Sequence, residues 1–270
     1  MKKPTHTSAA PGAAGGSAPL TPSSPKSIAT ELSTLVLDAW RALTSRPGGA
    51  LTLATALLLL WQYYGFPYTY DVRLDKALGA WRYQPIAGSL YWFATNVLML
   101  LVVPLLAARW LWRRPARSLG LGAGNWRVGV AAVAIGYLVM LPAVILASTW
   151  ADFRWAYPLD PDALRSHELF WVYEAGYASF FVGWEFFFRG FLLFILEPAF
   201  GLAAVAMQMV PFALMHVGKP IAETLGSVIA GIILGALALR TRSIWYGVAL
   251  HAAVALTLDI IVYVRWGPPF

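Results

Sequence analysis

From residue 49 to residue 264 the chain is a succession of apolar runs separated by short polar or charged loops: 49–66, 88–110, 128–149, 169–196, 200–217, 221–240 and 243–264. Each run is close to the roughly 20 residues that a helix needs to cross the hydrocarbon core of a bilayer. The pattern predicts an all-α, polytopic membrane helix bundle. It has about seven transmembrane helices, or six to eight once a re-entrant or divided segment is allowed for. The fourth run is the longest and is expected to tilt, to kink at Gly183 or to be two pieces. Ahead of the runs, residues 27–45 bring Ile28, Leu32, Leu35, Val36 and Leu43 near one helical face. With Trp40 and Arg41 this suits a helix lying on the membrane surface, or a cytoplasmic extension of the first span. Residues 1–26 are rich in Pro, Ser, Ala, Gly and Thr and too poor in apolar residues to bury a core, so a disordered tail is expected. They lack the apolar core and small-residue cleavage site of a secretory signal. The expected organisation is therefore a tail (1–26), a juxtamembrane helix (27–48), scaffold helices (49–165) and a C-terminal region (166–270) that carries the chemistry.

Composition sharpens this picture. Of 270 residues, 59% are hydrophobic and only 12% charged, against about 25% charged in a soluble domain. The 13 Trp and 12 Tyr gather at the ends of apolar runs, as interfacial anchors do. Cysteine is absent, which removes disulfides, thiolate metal sites and a cysteine nucleophile. The net charge of +7 raises a nucleic-acid partner, but the basic residues sit in loops beside apolar spans, where the positive-inside rule explains them better. No nucleic-acid partner is expected.

The same rule sets the orientation. The loop between the second and third runs holds Arg113, Arg114, Arg117 and Arg127, with Arg109 at its edge and no acid, and is expected to be cytoplasmic. The loop between the third and fourth holds Asp152, Asp160, Asp162 and Glu168 against Arg154 and Arg165, and is expected outside. The N-terminus then falls in the cytoplasm, in what is expected to be a bacterial inner membrane.

Chemistry concentrates after residue 170. Glu185 and Arg189 lie inside the fourth run, four apart and so on one helix face, within Trp184-Glu185-Phe186-Phe187-Phe188-Arg189-Gly190. Ionisable residues in such a setting mark a functional site by default; a structural ion pair is the competing reading. His216 stands just before the helix-breaking Gly218-Lys219-Pro220, and broken backbone at membrane depth is tolerated where protein or a water-filled cavity satisfies it. His251 stands among small residues of the last run. Each histidine alone could be a helix–helix or interfacial contact. Together, an acid, its arginine and two intramembrane histidines are material for acid–base chemistry on water. Glu223 is the next acid, able to fold back toward His216 or simply to sit at a helix N-terminus. Glu174 is about three turns from Glu185, too far along the helix to join it directly, and Asp259 is a further embedded acid.

The order Glu-x-x-x-Arg, Phe-x-x-x-His, then a histidine in a late span resembles the CPBP family of CAAX prenyl endopeptidases and bacteriocin-processing (Abi) proteins, over about the last 100 residues. Gly218-Lys219-Pro220 and Thr241-Arg242-Ser243 add to the similarity. The resemblance implies helices around a water-accessible intramembrane cavity, and intramembrane proteolysis of a glutamic or metal-dependent kind. It makes Glu185 the second acid of a Glu-Glu-x-x-x-Arg motif, Arg189 its arginine, His216 the first histidine and His251 the second. Two positions depart from the pattern. Trp184 stands where the first glutamate is expected, and Ala255 stands where an asparagine follows the late histidine.

The leading expectation is an intramembrane endopeptidase that hydrolyses a membrane-anchored protein or peptide through a water activated by Glu185 and His216. His251 would hold the oxyanion and Arg189 would hold Glu185. No cofactor is required on this reading; a zinc version would use His216, His251 and Glu185 as ligands. Trp184 and Ala255 favour instead a non-catalytic CPBP-like membrane protein that binds a peptide or protein partner. A transporter or channel is disfavoured by the few polar residues in the first three runs. One tension remains. Straight, full-length spans put Glu185 toward the cytoplasmic half and His216 at the external end, so either the boundaries move, or the Gly-Lys-Pro segment re-enters, or the two do not share one site.

Overall fold

The computed structural model describes residues 25–79 and 81–267, and all regular elements among them are helical. Most of the expected tail therefore lies outside the described residues. The chain divides into two compact units between Ala42 and Leu43. The first holds most of α1 (Pro25–Thr44), whose Ile28, Leu32, Leu35, Val36 and Trp40 are all exposed.

The second unit is the membrane bundle. The seven apolar runs reappear as α2 (Arg46–Tyr64), α3 (Gln84–Trp110), α4 (Trp126–Ala147), α5 (His167–Phe200), α6 (Ala203–Leu214), α7 (Ile221–Thr241) and α8 (Trp245–Trp266). Five of these, α3, α4, α5, α7 and α8, are long and apolar enough to cross a membrane by length and composition, and there are six such segments if α1 and α2 count as one broken span. The expected number was about seven, with six to eight as its range, and six meets its lower end. Arg46 and the Gln62-Tyr63-Tyr64 end dilute α2. The run 200–217 yields a helix of only 12 residues, because Gly201 and Leu202 turn the chain before it and the Gly-Lys-Pro segment ends it.

Local chemistry explains the boundaries. Asn125 caps α4 by accepting from the Val128 amide, and Ser166 caps α5 by accepting from the Leu169 amide. Pro198 lacks the amide that would bond the Phe194 carbonyl; the Arg114 guanidinium donates to that carbonyl instead, at 3.3 Å. α5 does not break at Gly183. It runs for 34 residues and passes through a π-helical turn at Phe186–Leu192, a feature frequent at functional sites. Phe186, Phe187, Phe188 and Phe191 are fully buried, and α5 is the central helix on which the others pack.

α6 and α7 form a tight hairpin. Gly231 faces Met209 so closely that a Cβ there would lie 2.7 Å from its Cγ, and the buried Gln208 amide donates to the Gly231 carbonyl at 2.8 Å. Small residues at membrane helix contacts allow this approach.

The helix ends gather on two opposite faces. On one, the α3–α4 loop meets the α7–α8 turn: the Asn125 amide donates to the Thr241 carbonyl at 2.8 Å and the Ile244 amide to the Gly120 carbonyl at 3.0 Å. On the other, the start of α3 meets the α4–α5 loop, with Arg82 to Glu168 at 2.6 Å and Ser89 to Asp160 at 2.7 Å. Arg265 near the end of α8 donates to Ser148 on this face at 3.0 Å.

Candidate functional site

Glu185 ends the α-helical part of α5 and Arg189 follows within the π-helical turn. The Arg189 Nη1 donates to Glu185 Oε1 at 3.1 Å, and both side chains are buried. The arginine is also held by aromatic faces, with its Cζ 3.9 Å from the Phe212 ring centroid, a cation–π contact. Here the expected pairing is present.

The same carboxylate oxygen takes a second partner from α8. His251 Nδ1 lies 2.7 Å from Glu185 Oε1. α8 can come this close because of Gly247, one turn before the histidine: a Cβ there would lie 2.8 Å from Glu185 Oε2. A carboxylate only accepts, so Nδ1 carries the proton and His251 presents Nε2 on its far side.

His216 arrives from the short hairpin. α6 rises about 18 Å in 12 residues at 1.5 Å each, so the histidine that follows it stops deep inside the bundle, not at the far surface. This resolves the depth conflict, because Glu185 lies 15 residues, about 22 Å of helix, from the same face. His216 is buried, and its Nδ1 donates to the Phe212 carbonyl at 2.8 Å. A carbonyl only accepts, so Nδ1 carries a proton, and in the neutral ring Nε2 is then the acceptor. The turn behind it satisfies its own backbone. The His216 carbonyl accepts from Thr224 Oγ1 at 2.8 Å and from the Lys219 amide at 3.1 Å, and Gly218 takes a φ of 98° that a side chain would resist.

The two imidazoles flank one ring. The Phe212 centroid is 4.7 Å from that of His216 and 6.0 Å from that of His251. Both histidines line a cavity of about 770 Å³, together with Trp184 and Ala255. Trp184, where the first glutamate of the motif was expected, presents its ring 5.9 Å from His216. Ala255, one turn after His251, leaves that stretch of wall without a donor.

Glu185 itself is not on the cavity wall: it is fully buried behind His251. The sequence expectation brought Glu185 and His216 to one water. In the folded chain the residue that joins His216 at the cavity is His251, with Glu185 and Arg189 behind it, because the carboxylate turns from the cavity toward α8.

Glu223 does reach the cavity near His216, but both its oxygens are engaged. Tyr157 donates to Oε2 at 2.5 Å and Lys219 to Oε1 at 2.9 Å. Lys219 also donates to the Tyr157 hydroxyl at 3.0 Å. Burial pushes the Tyr157 hydroxyl well above the usual tyrosine range, so it stays a donor. Sequence reading did not single out Tyr157 or the role of Lys219. Tyr157 lies in a loop with no motif, and only the approach of the α4–α5 loop to α7 reveals it. Glu174 lies beside Asp259 of α8, both buried, and neither lines the cavity.

Among the described residues no group of three or more His, Cys, Asp or Glu is arranged to hold a metal ion. Of the three residues that a zinc version would use, His216 and His251 line the cavity and Glu185 does not.

Residues 168–257, a third of the chain, match the family model described as type II CAAX prenyl endopeptidase Rce1-like. The match covers Glu185, Arg189, His216 and His251. Over these residues the chain is similar to the CPBP family. No curated protein and no solved structure matches it. The matched family is one of proteases. The matched stretch places the Glu185–Arg189 pair on α5, His216 in the α6–α7 turn and His251 on α8.

Proposed function

We propose that this protein is an intramembrane endopeptidase that hydrolyses a peptide bond of a membrane-associated substrate, with the two histidines as its working groups. The single observation that carries the reading is the shared cavity wall: His216 and His251 both line it, each with Nδ1 committed elsewhere and Nε2 free.

The chemistry follows from those commitments. Neutral His216 accepts a proton from water at Nε2 as the water oxygen attacks the scissile carbonyl. The charge that develops on the carbonyl oxygen is met by His251, whose imidazolium form donates from Nε2 and is balanced by Glu185. As the carbon–nitrogen bond breaks, the proton on His216 passes to the leaving amine. Glu185 acts here through His251, as a positioning residue and counter-ion, and Arg189 holds Glu185 in turn. The matching family model names a CAAX prenyl endopeptidase; for this chain the class we assign is the broader one, a membrane-associated peptide.

The rival reading is a non-catalytic membrane protein that binds a peptide in the same cavity. The observation in its favour is that Trp184 and Ala255 put apolar groups where the family pattern has polar ones.

Cleavage of a membrane-anchored peptide library by purified protein separates the two. On the proposal, His216→Ala lowers the rate by about 100- to 10,000-fold and His251→Ala by about 100- to 1000-fold, with no change on adding a chelator. Rates that survive both substitutions would remove the histidines from the mechanism. Loss on chelation with recovery on adding zinc would replace it by metal chemistry.

A further inference from the structure

The two faces of the bundle differ in charge, and the cavity opens on one of them. The face formed by the α3–α4 loop and the α7–α8 turn carries Arg109, Arg113, Arg114, Arg117, Arg127, Arg240 and Arg242. Arg46 joins them at the start of α2, where Gly49 packs against Trp112. Against these eight arginines the described residues of this face offer one carboxylate, Glu197, which is taken by both terminal nitrogens of Arg242 at 2.5 and 2.8 Å. The opposite face is balanced. Arg73, Lys76, Arg82, Arg154, Arg165, Lys219 and Arg265 are met by Asp71, Asp75, Asp152, Asp160, Asp162, Glu168 and Glu223. Several are direct pairs, such as Arg82 with Glu168, Arg165 with Asp162 and Lys219 with Glu223.

The cavity walls place its mouth. Besides the histidines they include Trp150, Phe153 and Tyr157 from the α4–α5 loop, Lys219 from the α6–α7 turn, and Phe66 and Pro67 after α2. All of these belong to the balanced face. No residue of the α3–α4 loop or the α7–α8 turn lines the cavity. The arginine-rich face is closed by Leu119 and Ile244, both fully buried.

We infer that the cavity opens on the non-cytoplasmic side of the membrane, so that the site is reached from the leaflet opposite the arginine-rich face. Anionic lipid in the cytoplasmic leaflet and the membrane potential both favour a net positive loop set inside, and the net charge of the two described loop sets differs by seven. The orientation stands on charge and cavity geometry alone. The further statement that a substrate's scissile bond is presented from outside rests on the protease reading given above.

The test uses the absence of cysteine from the chain. Ala116→Cys marks an exposed position of the arginine-rich face and Ala151→Cys an exposed position beside the cavity mouth. Each variant is expressed in full-length form in bacterial cells and treated with a membrane-impermeant maleimide before and after permeabilisation. The expected result is label at Ala151→Cys in intact cells and label at Ala116→Cys only after permeabilisation. The reverse pattern, or equal labelling of the two in intact cells, overturns the inference. In right-side-out vesicles, an anchored peptide offered from outside is then cut. If the labelling holds and no peptide is cut from either side, the protease reading fails and the orientation stands.

Discussion

His251 Nδ1 and Glu185 Oε1 are 2.7 Å apart, and this contact turns a buried acid into the partner of a cavity histidine. The carboxylate does not line the cavity, yet it sits directly behind a ring that does. Glu185→Gln keeps the shape and removes the charge. Cleavage is expected to fall by about 100- to 1000-fold, the size of losing an oxyanion donor. A rate that survives Glu185→Gln would assign the carboxylate a packing role only.

Arg189 is the other partner of that carboxylate, and both are buried. Removing one member of a buried pair strands the other charge, at a cost of about 3–5 kcal/mol. Arg189→Met is therefore expected to lower the thermal midpoint in detergent sharply. Arg189→Met with Glu185→Gln is expected to recover much of the stability and none of the activity. Equal loss in the single and double variants would mean that the arginine stabilises through Phe212 and not through the carboxylate.

Gly247 gives a probe of geometry without removing a charged group. The added methyl of Gly247→Ala would lie 2.8 Å from Glu185 Oε2, so either α8 or the carboxylate must shift. Overpacking of this kind typically costs about 1–3 kcal/mol. The expected signature is a fall in turnover with little change in KM. An unchanged turnover would show that the Glu185–His251 contact tolerates displacement.

Ala255 lines the cavity one turn past His251 and carries no donor. Ala255→Asn places an amide on that wall. If the cavity performs acyl transfer, an added oxyanion donor is expected to raise the rate by at least about 10-fold, within the range such donors contribute elsewhere. Peptide binding that strengthens without any cleavage would instead favour the non-catalytic reading.

Much of this protein was legible in its pattern of apolar and polar residues. Seven runs separated by charged loops give an all-helical membrane bundle, because a bilayer leaves the backbone few other ways to satisfy its hydrogen bonds. The spacing of Glu185 and Arg189 gives their pairing, since residues four apart share a helix face. The small residues around His251 announce close helix approach. These are local properties, each settled within one or two turns of chain.

Only the tertiary structure decided which groups meet. The length of α6 depends on where the chain turns at Gly201 and where Gly218 and Pro220 stop it, and that length sets the depth of His216. Whether Glu185 faces the cavity or α8 depends on how near α8 can come, which Gly247 controls from 62 positions away along the chain. The engagement of Glu223 by Tyr157 and Lys219 depends on the α4–α5 loop folding over the start of α7. Periodicity fixes the face of a helix on which a side chain lies; the rotation and depth of each helix against its neighbours come from packing between segments far apart in sequence, and no single segment encodes them.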